Sequence, residues 1–360
     1  MNYLTKRLEK IKLSLNQNGL DGIITRNLKN IRYISGFSGS SATCLILNEG
    51  EYFISDGRYK IQSEIEVENM EIFINDESSF NVIKKQKLIN DNKLKLGFES
   101  DKTTHDELKN LKLLFPKIHW VPIKNIIENI SKIKDKQEIQ CIRQAVEITD
   151  EVFDQIIPDL RIGMNEKEIA AKISFALKVL GADEDAFRPI VAGGPNSALP
   201  HAFPSSRELQ IGDFLILDFG AKYKGYHADM TRTVVIKECS EKQKEIYSIV
   251  SESQKLGIEN ISDNIDCKHI DSICRNYIKS FGYENNFIHS TGHGLGLEIH
   301  EDPRFSKISK DKIYANYIMT VEPGIYIPNL GGVRIEDDVI VKKTDSEILN
   351  KSTKELIIID

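Results

Sequence analysis

The stretch "LILDFGAKYKGYHAD" (215–229) holds two carboxylates in an unfavourable setting. Asp218 follows three apolar residues that read as a buried strand, and Asp229 closes a run of turn-forming residues. Aspartate is a poor strand former and its charge is costly to bury, so an acid there needs a partner. If Asp218 and Asp229 are opposed across an antiparallel hairpin, its loop is centred midway between them, inside "KYKG", where Gly225 can take a positive φ. The acids would then share a face with Cβ atoms about 5 Å apart, an arrangement that repels unless a cation lies between them. Two unrelated turn acids exposed to water are the alternative. The pattern recurs with Glu322 in "IMTVEPGIYIP" and Glu336 in "GGVRIEDDVIV", whose midpoint falls in the Pro-Asn-Gly loop "IPNLGG". Pro323 biases Glu322 toward extended backbone, and Arg334 shares the face of Glu336 by the strand period, which makes a plain Arg334–Glu336 salt bridge the competing reading there.

Histidine adds a nitrogen donor. Three of the eight histidines lie in "HSTGHGLGLEIH" (289–300), a density that favours a site, although each ring taken alone reads equally as an ordinary core or surface imidazole. Gly292, Gly294 and Gly296 permit close backbone approach. They do not form a dinucleotide fingerprint, because Leu297 stands in place of its last glycine and no βαβ unit surrounds them. No phosphate-binding P-loop is present either.

The elements that must position these residues are legible as periodicity. Leu4, Leu8, Ile11 and Leu15 make one helical stripe that stops at Gly19. After it "DGIIT", "SATCLILN", "EYFIS" and "KLKLGF" read as short strands, with a hairpin turn at "NEGE". This predicts a small α/β domain over 1–128. A helix runs from about Asp135, with Glu138 completing a capping box, to Pro158; others follow at 165–180, 241–259 and 267–280. Strand-like runs at 188–192, 213–219, 230–236, 318–327 and 333–342 give an α+β domain over 129–360.

Composition narrows the function classes. A chain of 360 residues, 40% hydrophobic and 28% charged, is long enough for two cores. Its net charge of -6 gives no general attraction to nucleic acid or anionic membrane, and the lysines of "IKKQK" (83–87) read as a solvated face. No apolar run reaches the roughly 18 residues of a membrane span, and the N-terminus lacks the pattern of a secretion signal, so the cytoplasm is expected. Cys44, Cys141, Cys239, Cys267 and Cys274 include no C-x-x-C pair, so reduced thiols are expected rather than a disulfide framework or zinc ribbon.

In order, type and approximate spacing, Asp218, Asp229, His293, Glu322 and Glu336 resemble the five metal ligands of the "pita-bread" metallopeptidases (M24), the family of methionine aminopeptidase, aminopeptidase P and prolidase. The likeness extends through "PHAFPSS", "LDFGAKYKGYHADMTRTV", "STGHGLGLEIHE" and "VEPGIYIP", which implies a pita-bread domain behind a creatinase-type N-terminal domain. "NIRYISGFSGSSA" and "ISDGRYKIQ" are more similar to aminopeptidase P-like enzymes than to dipeptidase-type prolidases. The resemblance implies hydrolysis of the N-terminal Xaa-Pro bond of small peptides, with a prolidase restricted to dipeptides as the alternative. Non-catalytic binding on the same fold is a weaker reading, because such relatives have generally lost ligands that are all present here.

By the same resemblance Asp229 and Glu336 bridge two ions, Asp218 chelates one, and His293 with Glu322 hold the other. Four carboxylates and a neutral imidazole are balanced by two divalent cations; the oxygen-rich set favours manganese, with cobalt, iron or zinc as alternatives. Catalytic roles fall to His201, His300, Glu322 and Arg334, and substrate binding to His201, His289 and His300. A homodimer is also implied.

Overall fold

The computed structural model describes residues 2–89 and 93–360. Its backbone separates into two compact units after Ser131, so the expected boundary at residue 128 falls inside the helix Ile126–Ser131.

In the first unit, Asn2 caps the helix Tyr3–Gln17 by accepting from Leu4 N, and Leu4, Leu8, Ile11 and Leu15 are buried along one stripe. Six strands form one mixed sheet. Gly22–Thr25 pairs antiparallel with Thr43–Leu47 on one side and parallel with Lys95–Glu99 on the other. Leu47 pairs with Gly50, which leaves Asn48 and Glu49 as the two-residue turn expected at "NEGE". Ile24, Leu45, Leu96, Phe98 and Trp120 fill one face of this sheet with Phe80, Ile83 and Leu111 from the helices over it.

The second unit opens with the helix Lys136–Ile156. Asp135 accepts from the N–H groups of Gln137 and Glu138, and the Glu138 carboxylate accepts from Asp135 N, so the capping box is complete. A short 3-10 turn containing Pro158 ends it. The helices Glu241–Glu259 and Cys267–Ser280 bury Ile246, Val250, Cys274 and Ile278 against Phe214, Val235, Ile325, Val333 and Ile335. They pack against the strands that carry or flank the acids.

The strands Phe214–Phe219 and Met230–Ile236 pair antiparallel, with Asp218 opposite Thr231 and Phe219 opposite Met230. The hairpin continues to Tyr223 opposite Tyr226, so its loop is Lys224–Gly225, with φ of 47° and 80°. A two-residue turn with positive φ at both positions matches the twist of the flanking strands. That turn sets the register one residue later than direct opposition of the acids requires. Asp229 is therefore a diagonal neighbour of Asp218 rather than its cross-strand partner, a correction to the expected pairing that widens the space between the two carboxylates.

The second hairpin has the expected register. Gly324 pairs with Arg334 and Val321 with Asp337, so Glu322 and Glu336 are opposed in the gap between two ladders. Pro323 offers no N–H to continue pairing, which accounts for the break in what read as single strands at 318–327 and 333–342.

Gly220 ends the upper ladder, and a Cβ added to it would lie 1.8 Å from Ala228 O, immediately before Asp229. Gly220→Ala must push the two strands apart and is expected to destabilise the protein by about 1–3 kcal/mol in urea unfolding; an unchanged midpoint would contradict this register.

Candidate metal centre

A cavity of about 510 Å³ in the second unit is lined by all nine residues expected at the site: His201, Asp218, Asp229, His289, His293, His300, Glu322, Arg334 and Glu336. Asp218, Asp229, His293 and Glu336 are buried and Glu322 half-buried, whereas His201 and His300 are exposed.

Asp229, His293 and Glu336 each present a ligand atom, and these atoms lie within 4.8 Å of one another. His293 Nε2 is 3.6 Å from Asp229 Oδ2 and 3.5 Å from Glu322 Oε1. His293 Nδ1 lies 3.0 Å from Gly294 O, a carbonyl that can only accept, so the ring proton is on Nδ1 and the Nε2 lone pair faces the two carboxylates. Burial foremost, with His300 beside it, pushes the His293 pKa down to about 3, so the ring is neutral. A lone pair aimed at carboxylate oxygens is repulsive unless a cation lies between them.

The acids carry the same message. Burial first, then Glu336 and Asp218, drive the Asp229 carboxyl well above its ordinary range; burial, then Glu322 and Asp218, do so for Glu336. Burial raises Glu322 to about 7, against the attraction of Arg334. Burial also raises Asp218, opposed by Arg334, and its Oδ1 is buried with no hydrogen-bond partner in the protein. An orphaned carboxylate oxygen, four raised acids and an inward imidazole lone pair fit two divalent cations held by these five side chains.

Hydrogen bonds from neighbouring residues fix the ligands. Thr231 Oγ1 donates to Glu336 Oε2 (2.6 Å) and accepts from Arg334 Nε (3.0 Å). Thr320 Oγ1 accepts from His293 N (3.1 Å) and donates to Glu322 Oε1 (3.3 Å). Asp338 Oδ2 accepts from Asp229 N (2.9 Å). Arg232, buried, donates to Glu336 O, to the Asp337 carboxylate and to the carbonyls of Ser352 and Thr353, anchoring the backbone at Glu336 from behind.

Arg334 does not pair with Glu336, the neighbour the strand period offered. Its Nη2 donates to Asp218 and its Nη1 to Tyr326 Oη (2.7 Å). Tyr326 in turn donates to His289 Nε2 (2.8 Å), because His289 Nδ1 keeps its proton for Ser290 O (2.7 Å). Both His289 nitrogens thus have protein partners, which sets it apart from the other two histidines expected to bind substrate. Neither His201 nor His300 has a protein hydrogen bond on its ring among the described residues, and the His300 ring stands edge-on to His293 at 4.4 Å.

Sequence reasoning missed Thr231, Thr320, Tyr326, Asp338 and Arg304. Thr231 and Thr320 lie two residues from a ligand along the chain, a spacing that could have flagged them. Arg304 pairs with His293 across a bulged ladder, lines the cavity, and has no ion-pair partner among the described residues. Among the described residues no helix is long and apolar enough to cross a membrane.

Residues 140–343 match the model of metallopeptidase family M24, and residues 7–133 match the creatinase/prolidase N-terminal domain. An Xaa-Pro dipeptidase of Pyrococcus furiosus is 37% identical over 98% of this chain and 100% of that protein. Among solved structures, an Xaa-Pro dipeptidase from Bacillus anthracis superposes with a TM-score of 0.94 at 38% identity, covering 99% of each chain. An X-Pro aminopeptidase from Thermotoga maritima gives 0.90 at 34% identity, covering 96% of this chain and 99% of that one.

Carboxyls raised above their unfolded values favour the fold while protonated, and that contribution is lost as pH rises through the folded pKa. Protein stripped of metal with a chelator should therefore lose thermal stability as pH rises from the ordinary carboxylate range through about 7. Added Mn(II) should restore it, by more at about pH 8 than at about pH 5, as protons stop competing. A metal increment that does not grow with pH would count against the cluster as the ion site.

Proposed function

The chain belongs to metallopeptidase family M24, and from that premise we propose that it hydrolyses the bond between an N-terminal residue and a following proline, with Xaa-Pro dipeptides as its best substrates. The observation that carries this reading is the cavity itself, where the five-ligand cluster, two exposed histidines and an unpaired arginine line one space. Full-length likeness to Xaa-Pro dipeptidases supports it.

Asp218, Asp229, His293, Glu322 and Glu336 would hold two divalent cations, manganese by the oxygen-rich donor set. When bound, such ions acidify a water and polarise a carbonyl. The remaining work belongs to the side chains. Glu322 takes the water proton on a carboxylate oxygen and delivers it to the proline nitrogen as the peptide bond breaks. Like any amide nitrogen, it leaves the tetrahedral carbon only when protonated. His201 and His300, with free ring nitrogens at the rim, donate to the carbonyl oxygen as charge develops there and orient the substrate. Arg334 holds Asp218 and Tyr326 in place, and Tyr326 holds His289. Arg304 receives the free carboxylate of the proline, which in a dipeptide lies one residue from the scissile bond.

A second reading, the aminopeptidase that accepts a chain beyond proline, is favoured by the Thermotoga maritima relative and by the N-terminal motifs. The balance between the two moves toward the dipeptide because Arg304, which lines the cavity, has no ion-pair partner among the described residues. A homodimer in the cytoplasm belongs to the same proposal and rests on the family resemblance.

Parallel assays with Mn(II) on Xaa-Pro and Xaa-Pro-Yaa should show at least tenfold higher kcat/KM for the dipeptide. Arg304→Met should raise its KM about tenfold or more while sparing kcat, as loss of one charged hydrogen bond predicts. Equal or faster cleavage of the tripeptide selects the second reading. Asp218→Asn should weaken metal retention; a wild type that never holds two ions per chain would overturn both readings.

A further inference from the structure

His300 is exposed and has no protein hydrogen bond on its ring among the described residues, yet it stands 4.4 Å from the buried ring of His293. A solvent-facing side chain keeps such a position only if its backbone is held. Besides the backbone pairing of Glu301 with Gly294 and of Leu295 N with Ile318 O, the segment carrying it is tied at two points by side chains. On one side His227, two residues before Asp229, donates its backbone N–H and its Nδ1–H to Gly296 O, each at 2.9 Å. On the other side the Glu301 carboxylate, next to His300, accepts from Glu298 N at 3.3 Å and from Lys134 Nζ at 2.6 Å.

The Lys134–Glu301 pair is unlike the surface ion pairs of this protein, because the side chains are only 2% and 14% exposed. Lys134 is itself fixed, its backbone N–H donating to Asn316 O at 2.9 Å directly before Asp135 begins its helix. Space around the pair is closed: a Cβ added at Gly296 would lie 2.6 Å from Glu301 Oε1 and 2.8 Å from Lys134 Nζ. The ammonium therefore sits in a slot made by the glycine that His227 grips from the other side.

We infer that Lys134 is a positioning residue for the reaction, holding Glu301 so that the 295–301 segment presents His300 beside His293. This rests on the reading of His300 as a substrate-contacting group. Removing the ammonium leaves a largely buried carboxylate at the foot of the His300 loop with only the Glu298 N–H bond, and the loop must move to hydrate it. A shift of about 1 Å at a group that orients substrate costs on the order of 100-fold in rate.

The test uses the full chain loaded with Mn(II). Lys134→Met is expected to lower kcat/KM on an Xaa-Pro dipeptide on the order of 10–100-fold, with bound metal per chain unchanged. Adding His300→Ala to it should cost little more, because both changes remove the same group from the site. Lys134→Met with Glu301→Gln should recover part of the loss, since the pair becomes neutral. Wild-type rates in Lys134→Met, or losses that add fully to those of His300→Ala, overturn the inference while leaving the peptidase reading intact. Should Lys134→Met fail to fold, Glu301→Gln alone preserves shape and is expected to slow the reaction in the same way; an unaffected rate overturns it. A crystal structure of the variant decides independently of activity: His300 is expected away from its 4.4 Å approach to His293, and a superimposable 295–301 segment refutes the role.

Discussion

The constraint from which this structure follows is the mutual repulsion of buried carboxylates around one neutral imidazole. Asp218, Asp229 and Glu336 are buried beside His293, and each acid is raised by burial, with the other acids adding to the shift at Asp229 and Glu336. Such a cluster is unstable by itself and is tolerated only where the fold holds it rigidly and a cation completes it. The surrounding structure supplies that rigidity. Two helices pack against the strands, and hydroxyls, a guanidinium and the Asp338 carboxylate fix the ligands. Asp218 Oδ1, fully buried, has no hydrogen-bond partner among the described residues.

Two hairpins deliver the acids by different means. The Glu322/Glu336 pair is opposed by register, with Pro323 interrupting the ladder so that both side chains occupy the gap. The Asp218/Asp229 pair is staggered by a turn with two positive φ values, and Gly220 allows the strands to cross closely just before Asp229. The difference divides labour among the acids. Asp218 lies near enough to Arg334 to be partly neutralised by the protein, whereas burial and the neighbouring acids Glu336 and Asp218 both raise the Asp229 carboxyl.

The long helices and both acid hairpins were legible in the sequence, because caps, turn residues and apolar periodicity are local signals, whereas short helices such as Leu28–Ser35 and His105–Leu114 were not read. Asp135 with Glu138 and the "NEGE" turn behaved as local chemistry requires. The register at "KYKG" was not legible to the residue, since centring a loop on the symmetry of two acids ignores which pair of residues can hold positive φ. Arg334 was placed correctly on its strand face but given the wrong partner, because the strand period lists candidates along one chain segment and Asp218 arrives from a residue 116 positions away. Tyr326 and Arg304 escaped for the same reason: their relevance comes from long-range convergence, and neither residue type marks itself in sequence.

Arg232 carries a consequence for how the molecule comes into being. It anchors the backbone at Glu336 only by also holding Ser352 and Thr353, which lie 120 and 121 residues further along the chain. A chain emerging in order from the ribosome exposes all five ligands before these acceptors arrive. The hydrolytic centre is therefore assembled last. A nascent chain already carrying every ligand still lacks part of its framework, which delays the appearance of peptidase activity until Ser352 and Thr353 have been made.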